Sequence, residues 1–137
     1  MRSYPEAVAI AAIRSLAAVG RNDATGAVAA IDAMAPFENV EGPGLFAIYA
    51  RGRAHLATGD TRTAVEAFEK CTTTPAAEAI APMRIYCLVW LARARAAAGD
   101  KMGSLRAYEE FLAKWKDADP GVPLLREATA EYAKAKS

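Results

Sequence analysis

A short polar turn recurs three times in this chain, as Asn22-Asp23, Gly59-Asp60 and Gly99-Asp100, and each copy stands between two alanine-rich stretches. Repetition at this interval constrains the fold more than any other feature. A unit of two short helices cannot bury its own apolar side, so such units gain a core only by stacking on their neighbours. The turn-to-turn intervals are 37 and 40 residues.

The rest of the composition agrees with an all-helical chain of one domain. In 137 residues the hydrophobic content is 53%, carried mostly by alanine, while β-branched residues are scattered singly. Seventeen Lys and Arg against sixteen Asp and Glu leave a net charge of +1 without a run of either sign, which argues against nucleic acid as the ligand. No stretch reaches the roughly 18 uninterrupted apolar residues of a spanning helix, and the start Met1-Arg2-Ser3-Tyr4-Pro5-Glu6 lacks the apolar centre of a signal peptide. Taken as given, the sequence reads as soluble, cytoplasmic by default, with an extracytoplasmic place open to it as part of a membrane-anchored parent.

Aligned on their turns, the three units share more than the turn. Seven positions before it stand Ser15, Gly52 and Ala92, small residues where two helices of a hairpin approach closely. After it come Ala27, Ala64 and Ser104, then Ile31, Phe68 and Tyr108, then Met34, Cys71 and Phe111, at helical spacing on one face. Asp23, Asp60 and Asp100 sit where a helix N-cap is wanted, and Asn22, Gly59 and Gly99 tolerate the left-handed backbone of a helix end. Helices are expected at about 5 to 19, 24 to 35, 44 to 58, 61 to 72, 82 to 98, 101 to 115 and 122 to 135. Pro36, Gly42, Pro43 and Gly44 break one link and Thr72, Thr73, Thr74 and Pro75 the next, with Ala76 to Ala81 able to add a helical turn before Pro82.

The pattern of small residue, Gly-Asp turn, alanine, aromatic and small residue, closing on Pro75, resembles the tetratricopeptide repeat, a helix-turn-helix unit of about 34 residues. The second copy, about Leu45 to Pro75, matches best; the third, about Ile85 to Trp115, has Ser104 for the small alanine and Trp115 for the closing proline; the first, about Val8 to Glu38, has Asn22 for glycine and Ile31 for the aromatic. The resemblance implies a right-handed superhelical stack of three hairpins, over about 5 to 38, 44 to 75 and 82 to 116, in a single domain spanning 1 to 137. An amphipathic helix over 122 to 135 caps it, with Leu124, Ala128 and Tyr132 inward and Arg126, Glu127, Glu131 and Lys134 in water. A narrower likeness covers Leu91 to Tyr132, through Leu91-Ala92-Arg93-Ala94, Tyr108-Glu109-Glu110-Phe111-Leu112 and Pro123-Leu124-Leu125-Arg126-Glu127-Ala128. It is similar to the carboxy-terminal repeats of bacterial serine/threonine kinases and winged-helix regulators, and implies a docking or sensory part of a bacterial signalling protein.

Chemistry is sparse. No nucleophile elbow, phosphate-binding loop, His-Glu-x-x-His or kinase motif occurs, and the acid pairs Glu66 and Glu69, Glu109 and Glu110, and Asp117 and Asp119 read as solvated helix faces or caps. The expectation is a non-catalytic interaction module without cofactor or metal. His55 has no second His or nearby Cys to complete a zinc set and is expected to pack as an amphipathic aromatic; Cys71 and Cys87 are expected to be packed free thiols, with a bridge the lesser alternative because both fall near the boundary of the second and third units, since spacing alone does not supply the Cα separation a bridge needs.

In stacked hairpins of this family the first helices line a concave groove. Those positions are Phe46, Tyr49 and Arg53 in the second unit and Tyr86, Val89, Trp90 and Arg93 in the third, with Arg53 and Arg93 equivalent. Two guanidiniums flanked by rings suit a carboxylate on an extended peptide. Leu16 and Arg53 stand where chaperone-docking relatives place asparagine, which argues against a heat-shock chaperone tail. The competing expectation is that the aromatics pack between hairpins and the arginines pair with acids on the adjoining helix. A second functional class is self-association: Pro5 to Val19 is apolar apart from Glu6, Arg14 and Ser15, and two copies could meet there as a homodimer.

Overall fold

A computed structural model of the chain describes residues 4–34, 36, 44–73, 81–115 and 121–137. Among them the helices are α1 (Tyr4–Gly20), α2 (Ala24–Asp32), α3 (Gly44–Thr58), α4 (Thr61–Thr73), α5 (Ala81–Ala97), α6 (Lys101–Trp115) and α7 (Pro123–Lys136), with no strand. They form three hairpins, α1 with α2, α3 with α4 and α5 with α6, followed by α7 on α6. The loop readings at 37–43, 74–80 and 116–120, with the added turn from Ala76, fall outside the described residues. Within the helices the largest difference from expectation is α2, which ends at Asp32 and gives way to a turn at Ala33 and Met34.

All three turns are built alike. Asn22, Gly59 and Gly99 have φ of 61°, 85° and 85°, the left-handed backbone that stops a helix. The following aspartate then serves two helices. Its amide returns to the carbonyl five residues back, Asp23 to Ala18 at 2.8 Å, Asp60 to His55 at 3.0 Å and Asp100 to Arg95 at 2.8 Å. Its carboxylate accepts from the third residue of the next helix, from the amides of Gly26 at 2.9 Å, Thr63 at 3.2 Å and Gly103 at 2.9 Å. Hydrogen bonding from Thr63 is the largest of the influences that hold the Asp60 carboxyl below its usual range.

Close approach within the hairpins falls on the small residues Ser15 with Ala27, Gly52, and Ala92 with Ser104. In the first, the Ser15 hydroxyl donates to the Ala27 carbonyl at 2.8 Å; in the third the roles reverse and Ser104 donates to Ala92 at 2.8 Å. Both hydroxyls are buried, and these bonds satisfy them. In the second hairpin Gly52 lies under the Phe68 ring, where an added Cβ would sit 2.6 Å from its edge carbons.

Charged and covalent ties join one hairpin to the next in a constant register. His55 is buried with Nε2 2.8 Å from an Asp32 oxygen and Nδ1 3.2 Å from an Asp60 oxygen, so it fastens α3 to both α2 and α4. The equivalent position one hairpin on is Arg95, which meets Glu69 of α4 at 3.1 Å. Beside it, Cys71 and Cys87 form a disulfide with Cα atoms 6.1 Å apart and both side chains fully buried. This overturns the expectation of free thiols. The stack brings the inward faces of α4 and α5 within bridging distance, a tertiary fact that sequence spacing does not carry.

Two outcomes test this packing. Replacing both cysteines with serine removes a cross-link over a loop of 16 residues and is expected to lower unfolding free energy by about 3 kcal/mol in urea titrations. Gly52→Ala gains roughly 1 kcal/mol of helix propensity. It nevertheless overpacks a fully buried ring, so the net change is expected to be destabilising by about 1 to 2 kcal/mol, seen as a lowered Tm.

Candidate binding groove

The first helices of the hairpins lie side by side, α1 against α3 and α3 against α5. Across the second of these contacts runs a ladder of alternating rings and guanidiniums. Arg53 lies over the Trp90 ring at 3.9 Å and donates to the Tyr49 hydroxyl at 2.7 Å; Arg93 lies on the same indole at 4.5 Å. Trp90 therefore joins the two arginines, in each case by the attraction of a cation to a π face. Phe68, stacked on Trp90 at 6.3 Å and tilted against Tyr49 at 6.3 Å, supports the ladder from the core.

The two equivalent arginines differ in their partners. Arg93 donates from Nε and one amino nitrogen to Glu131 at 2.9 and 2.7 Å, and reaches Glu127 at 3.2 Å. Among the described residues Arg53 pairs with no carboxylate. The cause lies in the chain order: the helix beyond Arg93 is α7, with acids at 127 and 131, whereas the helix beyond Arg53 is α5, which offers an indole instead.

The other expected groove positions are divided. Phe46 is half-buried against the core, Tyr49 is 9% exposed and reaches the surface through its hydroxyl, and Tyr86 is 39% exposed with its ring edge-on to Trp115. Val89 is fully buried. Val89 thus lies in the core cluster and presents no surface to a groove. Arg95 points away from Arg93, toward Glu69, as helical spacing requires.

Sequence reasoning placed Glu127 and Glu131 in solvent, and for Glu131 the structure corrects this. Glu131 is half-buried and takes a second hydrogen bond, at 2.7 Å, from the Tyr108 hydroxyl. Burial alone would raise its pKa, but the donors Arg93 and Tyr108 outweigh it and leave the carboxyl below its usual range. Hydrogen bonding to Glu131, against the cost of burial, raises the Arg93 guanidinium. Burial, then the bond to Glu131, pushes the Tyr108 hydroxyl well up. Nearby, Tyr132 donates to Glu109 at 2.8 Å, so one member of an acid pair read as solvated is also engaged. A tyrosine and an arginine at the third hairpin facing a lone polar helix with i, i+4 acids were the available signal.

With that geometry in place, comparison with known proteins adds one finding. The family model described as Tetratricopeptide repeat matches residues 46–74 and 86–118, the second and third hairpins, and the chain is similar to that family over those stretches. Neither the curated proteins nor the solved structures hold a match to the chain. The first hairpin, outside the matched stretches, has the same turn, cap and small pair as the others. Among the described residues no helix is long and apolar enough to cross a membrane, and no cluster of His, Cys, Asp or Glu could hold a metal ion.

The joint between α5, α6 and α7 has a definite pH dependence. Glu131, with its lowered folded value, contributes stability that is present above the ordinary carboxylate range and lost as pH falls through the folded value. Tyr108, with its raised value, contributes stability that is complete below the ordinary phenol range and lost as pH rises toward the folded value. Protection of the α7 amides, with the intrinsic pH dependence of exchange divided out, is therefore expected to be high and flat through neutral pH and to fall at both extremes. Glu131→Gln is expected to remove most of the acid-side change, which hydrogen-exchange mass spectrometry would resolve.

Proposed function

We propose that the chain is a tetratricopeptide-repeat interaction module that binds an extended protein segment on the face made by α1, α3 and α5, without catalysis. The observation that carries this reading is Arg53: a half-buried guanidinium, oriented by Tyr49 and Trp90, with no acid of its own chain among the described residues. Its equivalent, Arg93, is already occupied by two carboxylates of α7, and that internal contact serves as a template for what Arg53 would accept. The favoured ligand is thus a segment carrying a carboxylate, either an acidic side chain or a free C-terminus, with apolar groups to lie beside Phe46 and Tyr86. Support comes from the repeat resemblance, since modules of this family generally mediate protein contacts. We infer further, from the likeness of Leu91 to Tyr132 alone, that the setting is a bacterial signalling or regulatory protein.

The test is fluorescence anisotropy with a labelled library of short peptides, each made both with a free and with an amidated C-terminus, and with Asp/Glu-containing and neutral variants. Acid-bearing peptides are expected to bind, and Arg53→Ala to weaken them about tenfold or more, in keeping with the loss of a charge-assisted hydrogen bond. Arg93→Ala is expected to loosen α7 first. Binding that is indifferent to both the carboxylate and Arg53 would exclude the reading.

A further inference from the structure

The two arginines on the Trp90 ring have donors left over. A guanidinium presents its N–H groups along two forks, a side-on one from Nε and Nη2 and an end-on one from Nη1 and Nη2. In Arg93 the side-on fork is filled by Glu131, at 2.9 and 2.7 Å. Its end-on fork holds only Glu127, through Nη2 at 3.2 Å, and Nη1 has no partner among the described residues. In Arg53, Nη1 donates to the Tyr49 hydroxyl, and the side-on fork has no partner among the described residues. Both guanidinium carbons lie within 4.5 Å of the centre of one indole, so they are no further apart than twice that distance. Alternate residues of an extended segment point to the same side, about 7 Å apart. A segment with acids at alternate positions therefore has the reach to meet both open forks at once.

The two acids already on Arg93 are held very differently. Glu131 binds through both oxygens, accepts the Tyr108 hydroxyl as well, and has a side chain 33% exposed. Glu127 makes a single contact to a nitrogen that Glu131 also holds, and its side chain is 57% exposed. An exposed ion pair of that kind adds little stability. The Glu127 side chain can turn away while α7 keeps its seat, which rests on the buried Leu125 and Ala128.

We propose that Glu127 is a built-in competitor for the groove's ligand, and that the ligand carries acids at alternate positions. One acid takes the open fork of Arg53 and the other takes the end-on fork of Arg93 in place of Glu127, while Glu131 stays and keeps Arg93 on the ring. The inference rests on the groove reading above and adds to it the spacing of the acids and the residue that sets how tightly they are held. Glu127 opposes the second acid in two ways, by occupying one N–H of the fork and by placing a like charge beside the incoming carboxylate. A ligand with a single acid needs only Arg53 and does not meet that competition.

The experiment is fluorescence anisotropy with short labelled peptides, amidated at the C-terminus, of one apolar background with Asp at two alternate positions, at two adjacent positions, or at one. The adjacent pair has the charge of the alternate pair, but its side chains point to opposite sides. The 137-residue chain is compared with Glu127→Gln and with Glu66→Gln, which removes the same charge from α4, and circular dichroism confirms that each is folded. The alternate-acid peptide is expected to bind wild type best. Glu127→Gln is expected to tighten that peptide about fivefold or more and to change the other two by no more than about twofold. Glu66→Gln is expected to leave all three unchanged. No tightening of the alternate-acid peptide, or equal tightening of all three, would overturn the competitor role and leave the groove reading in place, provided that binding still needs Arg53. If no acidic peptide binds wild type or Glu127→Gln in an Arg53-dependent way, both readings are overturned.

Discussion

Each hairpin depends on one aspartate doing the work of two caps. Its backbone amide closes the first helix and its carboxylate opens the second, so no residue separates the end of one polar arrangement from the start of the next. A connection this short leaves the two helices almost no freedom of crossing angle. The small residues Ser15 with Ala27, Gly52 under Phe68, and Ala92 with Ser104 then decide how near the helices come. Only because hairpins made this way are nearly identical bodies can the contacts between them repeat in register, with Asp32 on His55 answered by Glu69 on Arg95.

From that regularity the ligand-facing ladder follows. Equivalent positions on α3 and α5 bring Arg53 and Arg93 to the same indole, and the asymmetry between them arises where the repetition stops. The capping helix does more than cover apolar surface: through Glu131 it neutralises the last guanidinium of the series and takes the proton-bearing oxygen of Tyr108 into the same network. An end helix with no acids there would leave Arg93 as open as Arg53.

The turns, the caps, the close-approach pairs and the helical nature of the described residues could be read from residues alone, because each depends on contacts no more than 12 residues apart and on backbone preferences carried by Gly, Asn and Asp. Where reading failed, the missing information was rotational or tertiary. Arg126, Glu127, Glu131 and Lys134 all read as the polar side of α7, yet Glu127 and Glu131 meet the Arg93 fork, since the roll of α7 is set by its seat on α6. Val89 and Trp90 are neighbours in sequence, and a turn of roughly 100° between them sends one into the core and the other to the ladder. The cysteines could be seen to fall near one boundary, but their pairing required the separation of α4 and α5 in space.

The disulfide also divides the molecule mechanically. In a linear stack, stability is the sum of terms within units and between neighbours, and opening can start at whichever junction is weakest. Among the described residues the covalent tie lies at the junction of the second and third hairpins, while the first is joined to the second by apolar contact and by the Asp32 side chain with its two basic neighbours. Hairpins two and three are thus closed into one covalently linked block, and the groove around Arg53 and Trp90 lies within it.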